Sequence, residues 1–439
     1  MEKFIKILSQ GKMCLVIGLL VIIIGINIYG CGRNPKEEGR KVTVIKFFTD
    51  TNPIRKEQIA LFEKTYPEID IKEDYLIPGA HMEKVLTSVA GGTVPDLLEV
   101  GVSNALVFGG RGILTDLQPF IEKDKGFDVN DIFPKVLSQY NYQGRQYALP
   151  GNCGTFVLFY NKRLFDEAKV EYPNANWTWN DFLDASRKLT KRDESGRIVQ
   201  YGSSMSFWGP VIEILIKEKG GRIFNEDGTK CIINSPEARE ALVFLHELAY
   251  KYGVSPKGAE LKETSFWQLF QMERAAMFIS GRWLIIQFRQ NKKLDFRITH
   301  LPKWDKRATL LASMGYAIPE QSNKKDAAWK FMKFLIGKEG QKFIISYGDA
   351  APMLKSMFNW EGFLYDPKYP NEDNNKIYLE ALDYAELPDI SPFVTEDQQW
   401  KIIDEELEKY NLDKQTIEEA LNNIEKRMNE VIKENTERK

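Results

Sequence analysis

From Val42 onward the apolar positions switch between a period of two and a period near 3.6, which predicts alternating strands and helices. Val42-Thr43-Val44-Ile45-Lys46-Phe47-Phe48 is β-branched and aromatic, so it predicts a buried strand. Thr51-Asn52-Pro53 then offers a capping residue followed by proline at a first helical position. Ile59, Phe62 and Tyr66 recur at three and four residues until Pro67 stops that helix. Ile69-Asp70-Ile71-Lys72 alternates as a second strand, residues 81–89 read as a helix ending at Gly91-Gly92, and residues 95–100 form a third strand broken by Gly101. This rhythm predicts parallel strands with right-handed crossovers, an α/β fold.

Ligands of open parallel sheets sit beyond the C-terminal ends of the strands. Here those ends are Thr49-Asp50-Thr51-Asn52 and Gly101-Val102-Ser103-Asn104. Asp50, Thr51, Asn52, Ser103 and Asn104 are therefore candidate ligand contacts; for Asn52 and Ser103 the competing role is plain helix capping. Asp96, which follows Pro95, is expected to fix its own strand, and Glu99 is a further acceptor.

A second module begins near Tyr147-Ala148-Leu149-Pro150-Gly151, with a strand over 155–160. Thr178 and Asp181 make a short capping box, Asn225-Glu226-Asp227-Gly228-Thr229 a hairpin-type turn, and Ser235-Pro236-Glu237 a helix start. Ile417, Leu421, Ile424, Met428 and Val431 have the 4-3-4-3 spacing of an amphipathic helix, expected to dock on this second module.

Ahead of the first strand, residues 13–29 are uncharged and mostly aliphatic, follow Lys3, Lys6 and Lys12, and end at Ile28-Tyr29-Gly30-Cys31. A basic start, an apolar run and a small residue describe an export signal over 1–30. A cysteine directly after the small residue resembles a bacterial lipobox, which implies acylation of Cys31, a polar tether over 31–40 and attachment to the membrane. Tyr29 departs from the usual small residue there, and an uncleaved signal-anchor helix is the alternative. Either way the rest of the chain faces outside the cytoplasmic membrane.

Composition narrows the class. The roughly 400 residues beyond the signal exceed one comfortable core, so two lobes are expected. The chain nets −2 with its charges interspersed and no basic stripe, which argues against nucleic acid as a partner. Cys153 and Cys231 are too few for a disulfide framework and read as buried thiols. The three histidines are scattered, and Tyr250 stands where a zinc-protease helix begun at His246-Glu247 needs its second histidine. Gly109-Gly110-Arg111-Gly112 follows a helix rather than a strand, so it reads as a helix end and not a phosphate cradle. No cofactor is expected.

Ten short pieces stand in a telling order. They are Phe62-Glu63-Lys64-Thr65-Tyr66-Pro67, Gly92-Thr93-Val94-Pro95-Asp96, Gly112-Ile113-Leu114-Thr115-Asp116-Leu117, Tyr147-Ala148-Leu149-Pro150 and Leu158-Phe159-Tyr160-Asn161-Lys162. Trp179-Asn180-Asp181-Phe182, Ala275 to Trp283 with its Ser280-Gly281-Arg282-Trp283 end, Gly315-Tyr316-Ala317-Ile318-Pro319, Ala327-Ala328-Trp329-Lys330-Phe331 and Gly348-Asp349-Ala350-Ala351-Pro352 complete them. Together they resemble the extracellular solute-binding proteins of sugar-importing ABC transporters, the maltose-binding-protein-like family. The resemblance implies a type II periplasmic-binding-protein-like fold, two α/β lobes joined by hinges and closing on a ligand. It places lobe one at 41–149 and 315–349, lobe two at 152–308 and 352–439, and hinges near 150–152, 309–314 and 350–352. It further implies a monomeric receptor with no enzymatic activity, handing a carbohydrate to the transmembrane subunits of a permease.

Sugars offer polar edges and apolar faces, so their sites combine aromatic platforms with planar hydrogen-bonding groups. The resemblance puts Trp283 and the Phe207-Trp208 pair at the cleft, with Asn152 and Thr155 at the first hinge and Met314 and Gly315 at the return crossing. Trp177, Trp179, Trp267 and Trp329 lie at helix starts or on helical faces and read as core. Two rivals stand beside a sugar receptor. A secreted glycoside hydrolase would need a carboxylate pair, which 62 acidic residues always supply and no spacing isolates. The same fold holding another solute would need clustered charge on the cleft loops.

Overall fold

A computed structural model describes residues 42–75, 81–304, 306–370 and 372–437; the export signal, Cys31 and the tether lie outside them. In chain order the strands that build the frame are β1 (Thr43–Thr49), β2 (Ile69–Tyr75), β3 (Leu97–Gly101), β4 (Leu149–Pro150), β5 (Gly154–Thr155), β6 (Val157–Asn161), β7 (Met277–Ser280), β8 (Phe296–Thr299), β9 (Thr309–Ala312), β10 (Met314–Ala317) and β11 (Ala385–Glu386). The helices that matter below are α1 (Ile54–Thr65), α2 (His81–Ala90), α3 (Val102–Gly110), α4 (Gly209–Glu218), α5 (Lys338–Tyr347), α6 (Glu396–Asn411) and α7 (Ile417–Glu437).

The first lobe is built on a five-stranded sheet in the order β2-β1-β3-β10-β4. β1 runs parallel to both β2 and β3, as the strand–helix–strand rhythm requires, while β10 returns antiparallel to β3. Side chains alternate across it: Ile45, Phe47 and Leu97 enter one core, Phe48, Leu98 and Val100 the other. Proline placement differs by one residue from expectation. α1 starts at Ile54, and Asn52 Oδ1 accepts the Ile54 N–H at 3.1 Å.

In the second lobe β6 lies between β7 and β8, antiparallel to each. Here too the pleat sorts the residues, with Phe159 and Phe278 in one core and Leu158, Met277 and Ile279 in the other. α7 buries Ile417, Leu421, Ile424 and Met428 in this second core, while Val431 packs at its edge. The capping box at Thr178 and Asp181 and the cap of Ser235 on Ala238 both form. Trp179 is fully buried and Trp329 nearly so; Trp177 and Trp267 are half-buried against the cores. Cys153 and Cys231 are buried and unpaired.

Three crossings between the sheets lie side by side. The Gly151 N–H donates to Met314 O at 2.7 Å, Asn152 Oδ1 accepts the Met314 N–H at 2.8 Å, and the Ala351 N–H donates to Cys153 O at 3.0 Å. After Pro352 the chain first runs beside the first lobe, where the Phe133 N–H donates to Met353 O at 2.9 Å, before α6 and α7 pack on the second. Among the described residues no helix is long and apolar enough to cross a membrane.

Candidate functional site

Between the lobes lies a cavity of about 890 Å³, within the size range of small-molecule sites. Its first wall comes from the C-terminal ends of the two adjacent parallel strands. Asp50, Thr51 and Asn52 follow β1, while Glu99 and Gly101 to Ser103 end β3 and open α3. The opposite wall is aromatic. Trp208 and Trp283 lie with ring centroids 6.4 Å apart, and Phe156 stands 5.6 and 5.4 Å from them. Trp400 of α6 adds a third indole, laid against Gly209 so closely that a Cβ there would meet its ring at 2.6 Å.

Glycine also sets the position of Trp283. Its ring folds back over Gly281, where a Cβ would stand 1.9 Å from it, so no larger residue fits. The neighbouring Arg282 is buried and donates to Ile345 O and Ala350 O at 2.8 and 3.0 Å, tying this turn to the third crossing. The platform is thus held by backbone shape on one side and by a buried cation on the other.

The first wall is more acidic than its strand-end loops suggest. Arg55, buried at the start of α1, donates to Glu99 Oε1 at 2.6 Å and to Thr49 Oγ1 at 3.2 Å, and lies 3.5 Å from Asp50. Burial opposes its charge, but Glu99, Tyr316, Asp50 and Asp349 outweigh that and hold the guanidinium above its ordinary range. Asp50 is raised to about 6 by burial and by Glu99, against the pull of Arg55. Asp349, fixed by the Asn52 amide at 3.1 Å, is also raised, chiefly by burial. On α6, desolvation in the cleft raises Asp404 to about 6 and also raises Glu396. Glu396, Trp400 and Asp404 follow one another at four-residue spacing on the cavity face of α6.

Of the twelve residues expected at the site, nine line this cavity: Asp50, Thr51, Asn52, Ser103, Asn152, Phe207, Trp208, Trp283 and Met314. Three do not. Asn104 is buried in the first turn of α3. Thr155 is fully buried in β5 and spends its hydroxyl on Tyr378 O at 3.0 Å. Gly315 is covered by Tyr140, whose ring would meet a Cβ there at 2.7 Å. Asp96 fixes its strand, accepting the Lys46 N–H at 2.9 Å. Asn52 both caps α1 and lines the cavity, whereas Ser103 lines it without capping α3.

Sequence reasoning missed Arg55, Asp349, Glu396, Trp400 and Asp404. Only Arg55 carried a local signal, a charge that shares the buried face of α1 with Ile54, Ile59 and Phe62. Trp400, three residues before Ile403 and seven before Leu407, has the spacing of a core position.

The profile of the bacterial extracellular solute-binding protein family matches residues 48–342. The arabinooligosaccharide-binding protein of Bacillus subtilis is 25% identical over 345 residues, 75% of this chain and 77% of its own. The mannitol-binding protein of Pseudomonas aeruginosa is 27% identical over 317 residues, 67% of this chain and 68% of its own. Among solved structures, an ABC substrate-binding protein from Listeria monocytogenes in complex with cycloalternan superposes with a TM-score of 0.82 at 30% identity, covering 89% of this chain and 99% of its own. Maltose-bound MalE3 of T. maritima, at 21% identity and a TM-score of 0.75 over 88% of this chain and 99% of its own, shares the fold.

Proposed function

Because the chain belongs to the bacterial extracellular solute-binding protein family, we propose that its cleft captures a carbohydrate, an oligosaccharide by its size, and delivers it to an ABC permease. The observation that carries this reading is the 890 Å³ cavity walled by three indoles on one side and by Asp50, Asn52, Glu99 and Asn152 on the other. Indole faces cover the apolar side of a sugar ring, and carboxylates and amides accept or donate to its hydroxyls. The relatives named above carry ligand names of the same class.

In this reading Asp50, Thr51, Asn52, Ser103, Asn152, Phe207, Trp208, Trp283 and Met314 contact the ligand, joined by Glu99, Trp400 and Asp404. Lobe one comprises 43–149 and 315–349, lobe two 152–308 and the last two helices, with residues 352–384 lying against both. The adjacent crossings at 150–152, 309–314 and 350–352 act as the hinge, so that ligand contacts from both walls shift an open–closed equilibrium. The protein is a monomeric receptor without enzymatic activity, held outside the cytoplasmic membrane by acylated Cys31. Tethering confines it to the plane of its permease and raises the effective concentration of each for the other.

A thermal-shift screen over neutral mono- and oligosaccharides tests the proposal. A cognate sugar at one hundred times its dissociation constant adds about 2.7 kcal/mol of stability, quenches tryptophan fluorescence saturably and is recovered unchanged. Steady release of a cleaved product would replace the receptor reading with a hydrolase. A second reading, a cationic solute such as an amino sugar or a polyamine, is favoured by Glu396 and Asp404 flanking Trp400. Glucosamine oligomers and spermidine in the same screen separate the two.

A further inference from the structure

α4 enters the cavity wall with Gly209 and Pro210, directly after Trp208, and one turn later it brings up Glu213. The Trp400 ring lies over Gly209, and Glu213 follows four residues on, about 6 Å along the helix axis on the same face. Glu213 is only 3% exposed, yet it lines the cavity. Its two oxygens are used differently. Oε1 accepts the Asp389 N–H and lies 3.6 Å from Lys217 Nζ. Oε2 has no hydrogen-bond partner among the described residues and is not sealed off from the cavity. A buried carboxyl oxygen left without a partner costs stability unless a molecule in the cavity supplies the bond.

The nearby cations are committed to Asp389. It accepts from Lys217 Nζ at 2.7 Å, from Arg222 at 3.1 Å and from the Ile223 N–H at 2.7 Å. Lys217 also lies 3.8 Å from Glu386 of β11. Asp389 thus carries the negative charge of this group. Glu213, with Lys217 nearer to Asp389 than to itself, keeps its proton because a second buried carboxylate would be poorly compensated. Burial, joined by the charge of Asp389, outweighs Lys217 and raises Glu213 to about 8. Glu218 on the same helix is also raised to about 8, chiefly by burial, but Trp179 Nε1 and the Ala308 N–H occupy its oxygens and it faces away from the cavity. The α6 carboxyl Asp404 titrates lower, near 6.

We propose that Glu213 is a specificity-determining ligand contact, its Oε2–H donating to an oxygen of a sugar stacked on the Trp208 and Trp400 indoles. The inference rests on the carbohydrate reading and narrows it. A neutral sugar carries oxygens that accept such a bond, whereas an ammonium only donates and would meet a donor. A ligand that covers Oε2 also removes the last solvent from this carboxyl, so the bound form holds the proton more firmly than the free form. Binding then takes up a proton wherever the free protein has begun to release it, and affinity falls as pH rises through about 8.

Titration calorimetry tests this with whichever of maltotriose, mannotriose, arabinotriose and galactotriose raises the melting temperature. Runs at pH 8 in buffers of different ionisation enthalpy read out the proton. Wild type should take up about half a proton per sugar at pH 8 and bind about tenfold more weakly at pH 9 than at pH 7. Glu213→Gln keeps a donor N–H but does not titrate, so it should show neither proton uptake nor the loss at pH 9. Glu213→Met, which loses the donor, should bind at least about tenfold more weakly than Glu213→Gln at pH 7. Near-ultraviolet circular dichroism at each pH checks that the variants stay folded. If Glu213 merely braces the Asp389 N–H, wild type binds a sugar with no proton uptake, and the inference is overturned while the carbohydrate reading stands. Equal uptake by wild type and Glu213→Gln overturns it too, by assigning the proton to another group. If none of the four sugars binds, both readings fall together.

Discussion

At the scale of single residues, the cleft keeps ionisable groups where water would not leave them. Among the described residues Asp404 has no ion-pair partner, and desolvation raises it to about 6. An unfolded aspartate titrates near about 3.9. Between these two values the folded chain holds a proton that the unfolded chain has released. Stability therefore falls as pH rises through that window and levels off above it. Asp404→Asn removes the titration, so the variant should melt higher than wild type at pH 7 and no higher at pH 4. Equal differences at both pH values would show that Asp404 is not the group responsible. Asp50 shifts the same way, but Arg55 and the Asn52 N–H pull against its burial, which makes Asp404 the cleaner probe. Neither shift was legible beforehand, because each depends on groups far away in the chain.

At the scale of elements, legibility tracks how local the determinants are. β1, α1 and β2 were readable because β-branched runs, capping residues and Pro67 act within a few positions. Trp283 was readable through the resemblance of its Ser280-Gly281-Arg282-Trp283 loop to the family. Trp400 was not, since its contact is with Gly209, the first residue of α4, nearly two hundred positions earlier. The anchoring of Asp389 escaped for the same reason, since the residues that hold it lie 166 to 176 positions away. The α4–α6 contact has a direct test. Gly209→Ala places a methyl inside the Trp400 ring, and overpacking of this kind costs about 1–3 kcal/mol. In a Trp400→Ala background the same substitution should cost much less, a coupling that a double-mutant cycle on thermal melts reads out. Additive effects would mean that Gly209 acts through its backbone alone.

At the scale of the whole molecule, two lobes need not mean two unfolding units. One core runs from Ile45, Phe47 and Leu97 of the first sheet, through Leu149, Cys153, Leu311 and Ala351 at the crossings, to Phe159, Phe278 and Phe296 on one face of the second. Arg282 reinforces that continuity, because its guanidinium bridges the turn after β7 to the carbonyls of Ile345 and Ala350. Opening a hinge only rotates one sheet relative to the other, but unfolding either lobe exposes part of the shared core. The lobes should therefore melt together. Scanning calorimetry of the unliganded protein should give a single endotherm whose calorimetric and van't Hoff enthalpies agree, and a cognate sugar should move that endotherm without splitting it. Arg282→Met should lower its temperature, since removing a buried charge from its partners costs about 3–5 kcal/mol. Two resolved endotherms in the wild type would mean that the crossings carry hinge motion but no cooperativity. The apolar continuity through Cys153 and Ala351 would then be too thin to couple the lobes.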